Sequence, residues 1–108
     1  MAKSVAAGRI LDLPSEPTLS DGTAGGIEAG AITFDLATGI VDEFILVSEA
    51  QIAAAMRDFM QAHREVIEGA AGVAVAALLA RPELARDKRS VVLVCGGNVS
   101  EATLRSIR

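Results

Sequence analysis

Apolar positions change their spacing from one stretch of the chain to the next, and each change predicts a different element. Residues 1–9 predict a short helix that stops near Gly8. From Ser15 to Gly30 the pattern dissolves into Ser, Asp, Gly and Pro, which predicts a long irregular stretch. Loops of this kind in small domains are often functional, or pack against another surface. Between Ile32 and Val41, apolar residues stand at 32, 34, 36, 40 and 41 and predict a short helix ending near Gly39.

Phe44-Ile45-Leu46-Val47 is an unbroken apolar run between Asp42-Glu43 and Ser48. Its length and branching predict a strand buried on both faces, as in parallel sheets. Ser48-Glu49-Ala50-Gln51 then reads as a capping box, with the serine oxygen and the Gln51 side chain each satisfying an amide of the other residue. The helix it starts carries Ile52, Met56, Phe59, Met60 and His63 along one face. Val73 to Leu79 predicts a helix buried nearly all round, broken at Pro82. Ser90 to Cys95 is the clearest strand signal; it runs into Gly96-Gly97-Asn98, after which Ser100 caps a final helix from Glu101. The alternation predicts an α/β fold: part of an open, mostly parallel sheet flanked by helices. Two such strands do not complete a domain.

Composition narrows the function classes. The 108 residues hold ten Lys and Arg against fourteen Asp and Glu, a net charge of −4. That balance opposes binding to a nucleic-acid backbone. With three Phe and neither Tyr nor Trp, the chain has little with which to stack bases or cage cations. Apolar residues make up 51%, so a packed core of Ala, Val, Leu and Ile is expected. The uncharged stretch from Gly69 to Ala80 falls short of the roughly twenty residues of a membrane span. The lone cysteine, Cys95, closes no internal disulfide, and one histidine with one cysteine makes no structural zinc cage. No signal-peptide pattern follows Met1. A cytoplasmic protein without a metal site is expected.

Three local patterns carry candidate chemistry. Cys95-Gly96-Gly97-Asn98 joins a strand to a helix start, the place where α/β folds put ligands, and its glycines permit close approach of the backbone to a ring or phosphate. The same residues also describe an ordinary turn with a buried cysteine. Ser20-Asp21-Gly22-Thr23-Ala24-Gly25-Gly26 is a second glycine-rich loop, lacking the lysine and spacing of a P-loop and the strand of a dinucleotide fingerprint. Glu68-Gly69-Ala70-Ala71-Gly72 puts a carboxylate at a helix start, which the helix dipole alone favours. Spacing does not pair His63 with Cys95 as a nucleophile and base.

Taken in order, Ser20-Asp21-Gly22, the run from Phe34 through Val41-Asp42-Glu43 to Val47-Ser48-Glu49, Glu68-Gly69-Ala70-Ala71-Gly72, and Val91 to Val99 resemble the C-terminal third of threonine dehydratases. Those are fold-type-II (tryptophan-synthase-β-like) pyridoxal-phosphate enzymes, related to serine dehydratase and serine racemase. The resemblance implies pyridoxal 5′-phosphate as cofactor, with Cys95 facing the pyridine nitrogen and Gly96 and Gly97 letting the backbone lie against the ring. It also places Glu68 beside the cofactor and Gly22 in the ring pocket, with Asp21 as a further carry-over. A neutral thiol does not hold the ring nitrogen protonated as a carboxylate would, which suits β-elimination of water from L-threonine or L-serine to a 2-oxo acid and ammonia.

The resemblance equally implies parts that are not among these residues. The family's Schiff-base lysine lies in a Ser-x-Lys-x-Arg segment and its phosphate loop is a run of glycines, both upstream of the matched region. Here the lysines are Lys3 and Lys88, in neither context. Residues 1–108 are therefore expected to be one partial domain, the C-terminal part of the large cofactor-binding domain, inactive alone and without cofactor. The parent would be the short, catabolic type acting on a small amino acid, with no nucleic-acid or membrane partner. Two alternatives stand beside it: a serine racemase or another β-hydroxy amino acid dehydratase, and a non-catalytic α/β module that self-associates. Either way, two strands apolar on both faces leave open edges that recruit other chains. A homo-oligomer, with elements exchanged between copies or not, is expected in sedimentation at micromolar concentration; a compact, cooperatively melting monomer would contradict it.

Overall fold

Ser48 determines where the longest helix begins. Its hydroxyl accepts from the Gln51 amide at 3.3 Å, while Gln51 Oε1 accepts from the Ser48 amide at 2.8 Å. That reciprocal pair satisfies two of the amides that every helix start leaves open. The computed structural model describes residues 1–107. Within them are five α-helices: α1 (Ala2–Ala6), α2 (Ile32–Ile40), α3 (Glu49–His63), α4 (Gly69–Ala80) and α5 (Glu101–Ser106). Two 3-10 turns, Asp21–Thr23 and Pro82–Leu84, accompany them.

The chain divides into two compact units. The first joins Met1–Glu16 to Ala24–Ile45 and packs α1 against α2. Gly8, at φ +65°, takes the left-handed conformation that stops α1, as the sequence predicts. Buried Ser4 accepts from the Leu11 amide at 3.1 Å and so ties the segment after α1 back to it. On α2, Phe34 and Ala37 are half-buried, whereas Ile32, Leu36 and Ile40 face outward.

The second unit joins Pro17–Thr23 to the chain from Leu46 onward. Its core is Ile52 and Met56 of α3, Ile67, Ala71 of α4 and Ile107, with Val47, Phe59, Val99 and Leu104 packed against it. Gly72 brings the two long helices close: a Cβ there would stand 2.6 Å from Met56 Cγ. Arg57 reaches from α3 to donate to the Ile107 carbonyl at 2.9 Å. Ser100 caps α5 by accepting from the Thr103 amide at 3.1 Å.

Two expectations are corrected. No strand occurs among the described residues, so the expected parallel strands at Phe44–Val47 and Ser90–Cys95 are irregular segments. A strand exists only through a ladder of bonds to a neighbour, and neither segment offers one to the other. Apolar side chains in them stay open, Val91 at 95% and Leu46 at 80% exposure. Nor is α4 buried all round. Gly69, Ala71, Gly72 and Ala76 are buried, but Leu79 is exposed, because α3 and the two 3-10 turns are the elements packed on α4. Replacing Ser48 by Ala should destabilise the chain by about 1 kcal/mol in urea unfolding; an unchanged midpoint would show that the box does not hold the start of α3.

Candidate functional site

Glu68 caps the start of α4 with its backbone and reaches the 96–98 turn with both backbone and side chain. Its amide donates to the Gly96 carbonyl at 3.0 Å, and its own carbonyl accepts from the Gly72 amide at 2.9 Å. Its Oε2 accepts from the Asn98 amide at 3.3 Å. A carboxylate at a helix start is favoured by the dipole, but here it is turned to another segment, 30 residues along the chain. Gly96 lies so close that a Cβ on it would stand 2.5 Å from Glu68 Oε2. At Gly97 a Cβ would meet the Val66 carbonyl at 2.7 Å. Glycine at 97 is therefore required by the Val66 backbone, while glycine at 96 lets the movable Glu68 carboxylate lie close, reasons that the motif alone does not supply.

Gly22 belongs to the same cluster. It sits in the Asp21–Thr23 turn, where a Cβ would come within 3.9 Å of Glu68 Oε1, an ordinary contact. Asp21 Oδ1 accepts from the Gly22 amide at 2.8 Å, so Asp21 shapes the turn. The segment before it runs across the first residue of α4: a Cβ on Gly69 would overlap the Leu19 carbonyl. Buried Ser20 and the Thr23 hydroxyl share a bond of 2.6 Å that closes the turn.

Of the five residues singled out in the sequence, Gly22, Glu68, Gly96 and Gly97 thus lie in one neighbourhood. Cys95 is exposed and precedes Gly96 directly. His63 is exposed with its ring 4.4 Å from that of Phe59, one turn back on α3. No group of His, Cys, Asp and Glu among the described residues could hold a metal ion. An open hollow lined by Arg57, Met60, Gln61, Val66 and Leu104 contains none of the five. The Arg81 side chain, by hydrogen bonding, holds the exposed Glu83 below the usual carboxylate range, at a distance in sequence from all of these residues.

The sequence reading missed Glu49. Beyond opening α3, its carboxylate accepts from the Thr18 hydroxyl at 2.6 Å and from the Leu19 amide at 2.8 Å. Its place in the capping box and in the Val47-Ser48-Glu49 run marked it, and neither pattern carries information about a loop 30 residues upstream.

Gly96→Ala should push the Glu68 carboxylate away and, because that group is the movable end of a side chain, cost no more than about 1 kcal/mol in stability. Much of that loss should return when Glu68→Ala is added, since the two groups compete for one space. Additive effects in a double-mutant cycle measured by urea unfolding would show that Glu68 is not what crowds position 96.

No helix among the described residues is long and apolar enough to cross a membrane. The sequence pattern of the family described as pyridoxal-phosphate dependent enzymes matches residues 1–96. The L-threonine ammonia-lyase of Thermotoga maritima is 35% identical over 99 residues, 92% of this chain and 24% of that protein. The catabolic L-threonine dehydratase of Staphylococcus aureus is 39% identical over 87 residues, 78% of this chain and 25% of that protein. Among solved structures, maize serine racemase superposes with a TM-score of 0.80 and 32% identity, covering 97% of this chain and 33% of that one. Serine racemase from Dictyostelium discoideum gives 0.75 and 28%, covering 91% and 31%. The chain spans between about a quarter and a third of the length of the curated relatives it matches. With most of its length covered by that one pattern, the chain belongs to the fold-type-II family of pyridoxal-phosphate dependent enzymes.

Proposed function

We propose that this chain forms the ring-facing wall of an ammonia-lyase that removes water from L-threonine or L-serine and releases a 2-oxo acid and ammonia. The observation that carries the reading is the gathering of Gly22, Gly96 and the Asn98 amide around the Glu68 carboxylate. Relatives named for threonine ammonia-lyase and threonine dehydratase support the substrate class. The likeness to serine racemases favours a second reading, in which the same wall serves exchange of the α-proton of serine.

Bound pyridoxal phosphate supplies an electron-withdrawing ring that eases loss of the α-proton and of the β-hydroxyl. The residues here fit such a group chemically: a neutral thiol, backbone bare of side chains, and one carboxylate. Cys95, exposed at the lip of the glycine turn, would be the partner of the pyridine nitrogen. A thiol is a weak donor and acceptor, so it would not hold a proton on that nitrogen as a carboxylate would. Gly96 and Gly97, whose missing side chains admit the Glu68 carboxylate and the Val66 carbonyl, and Gly22 would present bare backbone to the ring. Glu68 orders the turn behind Cys95 through the Asn98 and Gly96 contacts. The lysine that takes the α-proton comes from outside residues 1–108, in a cytoplasmic homo-oligomer whose full cofactor domain includes these residues as its C-terminal part and completes the mostly parallel sheet.

Fragment complementation tests this. The chain is mixed with the Thermotoga maritima relative lacking its matching quarter, in the presence of pyridoxal phosphate. Neither part alone should convert L-threonine to 2-oxobutanoate; together they should. Formation of D-serine from L-serine without oxo acid would favour the racemase reading. Turnover by the chain alone, with a borohydride-reducible adduct at Lys3 or Lys88, would overturn the assignment of the lysine to another segment. A mixture that retains the cofactor yet acts on neither amino acid would overturn the reading as a whole.

A further inference from the structure

Glu49 is solvent-exposed, but its carboxylate is fully engaged. One oxygen accepts from the Thr18 hydroxyl at 2.6 Å and the other from the Leu19 amide at 2.8 Å. Hydrogen bonds to an ionised acceptor are shorter and stronger than neutral ones, and both donors belong to one dipeptide. Thr18 Oγ1 passes the restraint on by accepting from the Ser20 amide at 3.1 Å. On its other side the same dipeptide is pressed onto α4, because the Leu19 carbonyl occupies the space that a Cβ on Gly69 would need. Ser20 is buried, and its bond to Thr23 closes the turn that holds Gly22 beside Glu68. Glu49 itself cannot drift, since the Ser48–Gln51 box fixes the first turn of α3.

We propose that Glu49 is a positioning residue: through Thr18 and Leu19 its carboxylate holds the 18–22 segment against the start of α4, and so sets where Gly22 stands relative to Glu68. It does no chemistry of its own. What the positioned wall serves rests on the functional reading above; the restraint itself does not.

Hydrogen exchange on the full chain tests the restraint directly. Glu49→Ala should speed exchange across residues 18–23 by at least about tenfold while leaving the α4 amides at their original rates. Glu49→Gln, which keeps one acceptor oxygen but turns an amide group toward the second donor, should fall between wild type and Ala. Thr18→Val should loosen the same residues and add little on top of Glu49→Ala. Ser48→Ala frees the first turn of α3 but keeps the Glu49 carboxylate and both of its donors, so it should loosen residues 18–23 clearly less than Glu49→Ala does. Unchanged exchange at 18–23 in Glu49→Ala, or an equal loss in Ser48→Ala, overturns the proposal. In the complemented mixture, Glu49→Ala should weaken retention of pyridoxal phosphate about tenfold, and Glu49→Gln less. Unaltered retention despite loosened exchange would overturn the link between Glu49 and the site. A wild-type mixture that retains no cofactor would overturn the functional reading instead, with the restraint still decided by exchange.

Discussion

Two missing side chains on α4 govern how the unit from Leu46 onward is assembled. At Gly72 the absence of a Cβ lets Met56 and Ile52 of α3 come within the space an alanine would fill. Three residues earlier, at Gly69, it lets the Leu19 carbonyl lie on the helix start. The first contact builds the core; the second brings a distant loop to the residue next to Glu68. Glycine inside a helix costs roughly 0.5–1 kcal/mol relative to alanine, so Gly72 trades local helix stability for a close approach, whereas Gly69 stands at the first position of α4. Both approaches lie within one turn of Glu68, around which Gly22 and Gly96 are gathered.

Around that junction the polar groups act on one another more than on solvent. Glu68 is bonded to the 96–98 turn, Glu49 to residues 18 and 19, Asp21 to Gly22, and Ser20 to Thr23. None of these residues comes from the helix interiors that make the core. Helices α3 and α4 provide a rigid base, and short segments with little regular structure are fastened to it by carboxylates and hydroxyls. This is the usual division of labour in a binding wall: the scaffold is apolar and the positioning is polar.

The glycine pairs carry two kinds of requirement, and only one was visible in advance. The order and spacing of Ser20-Asp21-Gly22, Glu68-Gly69 and Cys95-Gly96-Gly97-Asn98 carry the resemblance, and the family pattern matches residues 1–96. That glycine at 97 is demanded by the Val66 carbonyl, and that glycine at 96 lets the Glu68 carboxylate lie close, depends on contacts across about 30 residues of chain. A motif records which residue is tolerated, not which neighbour excludes the others. Glu49 shows the same gap: its position in a capping box was legible, but its bond to Thr18 was not.

Helix starts and stops were determined locally, and the sequence alone was enough for them. Gly8, the Ser48–Gln51 box, Pro82 and Ser100 each act within four residues of themselves, so the end of α1, the start of α3, the end of α4 and the start of α5 lie where the pattern puts them. The segments at Phe44–Val47 and Ser90–Cys95 could not be settled in this way. Their apolar runs specify burial, but a strand also needs a partner at its edge, and no ladder forms among the described residues. The burial of α4 failed as a sequence inference for a related reason: hydrophobicity states what a face prefers, while the neighbours present decide which faces are covered. Tertiary structure alone brought Gly22, Glu68 and Gly96 together, because their proximity depends on close backbone approaches and long-range carboxylate bonds that have no period along the chain.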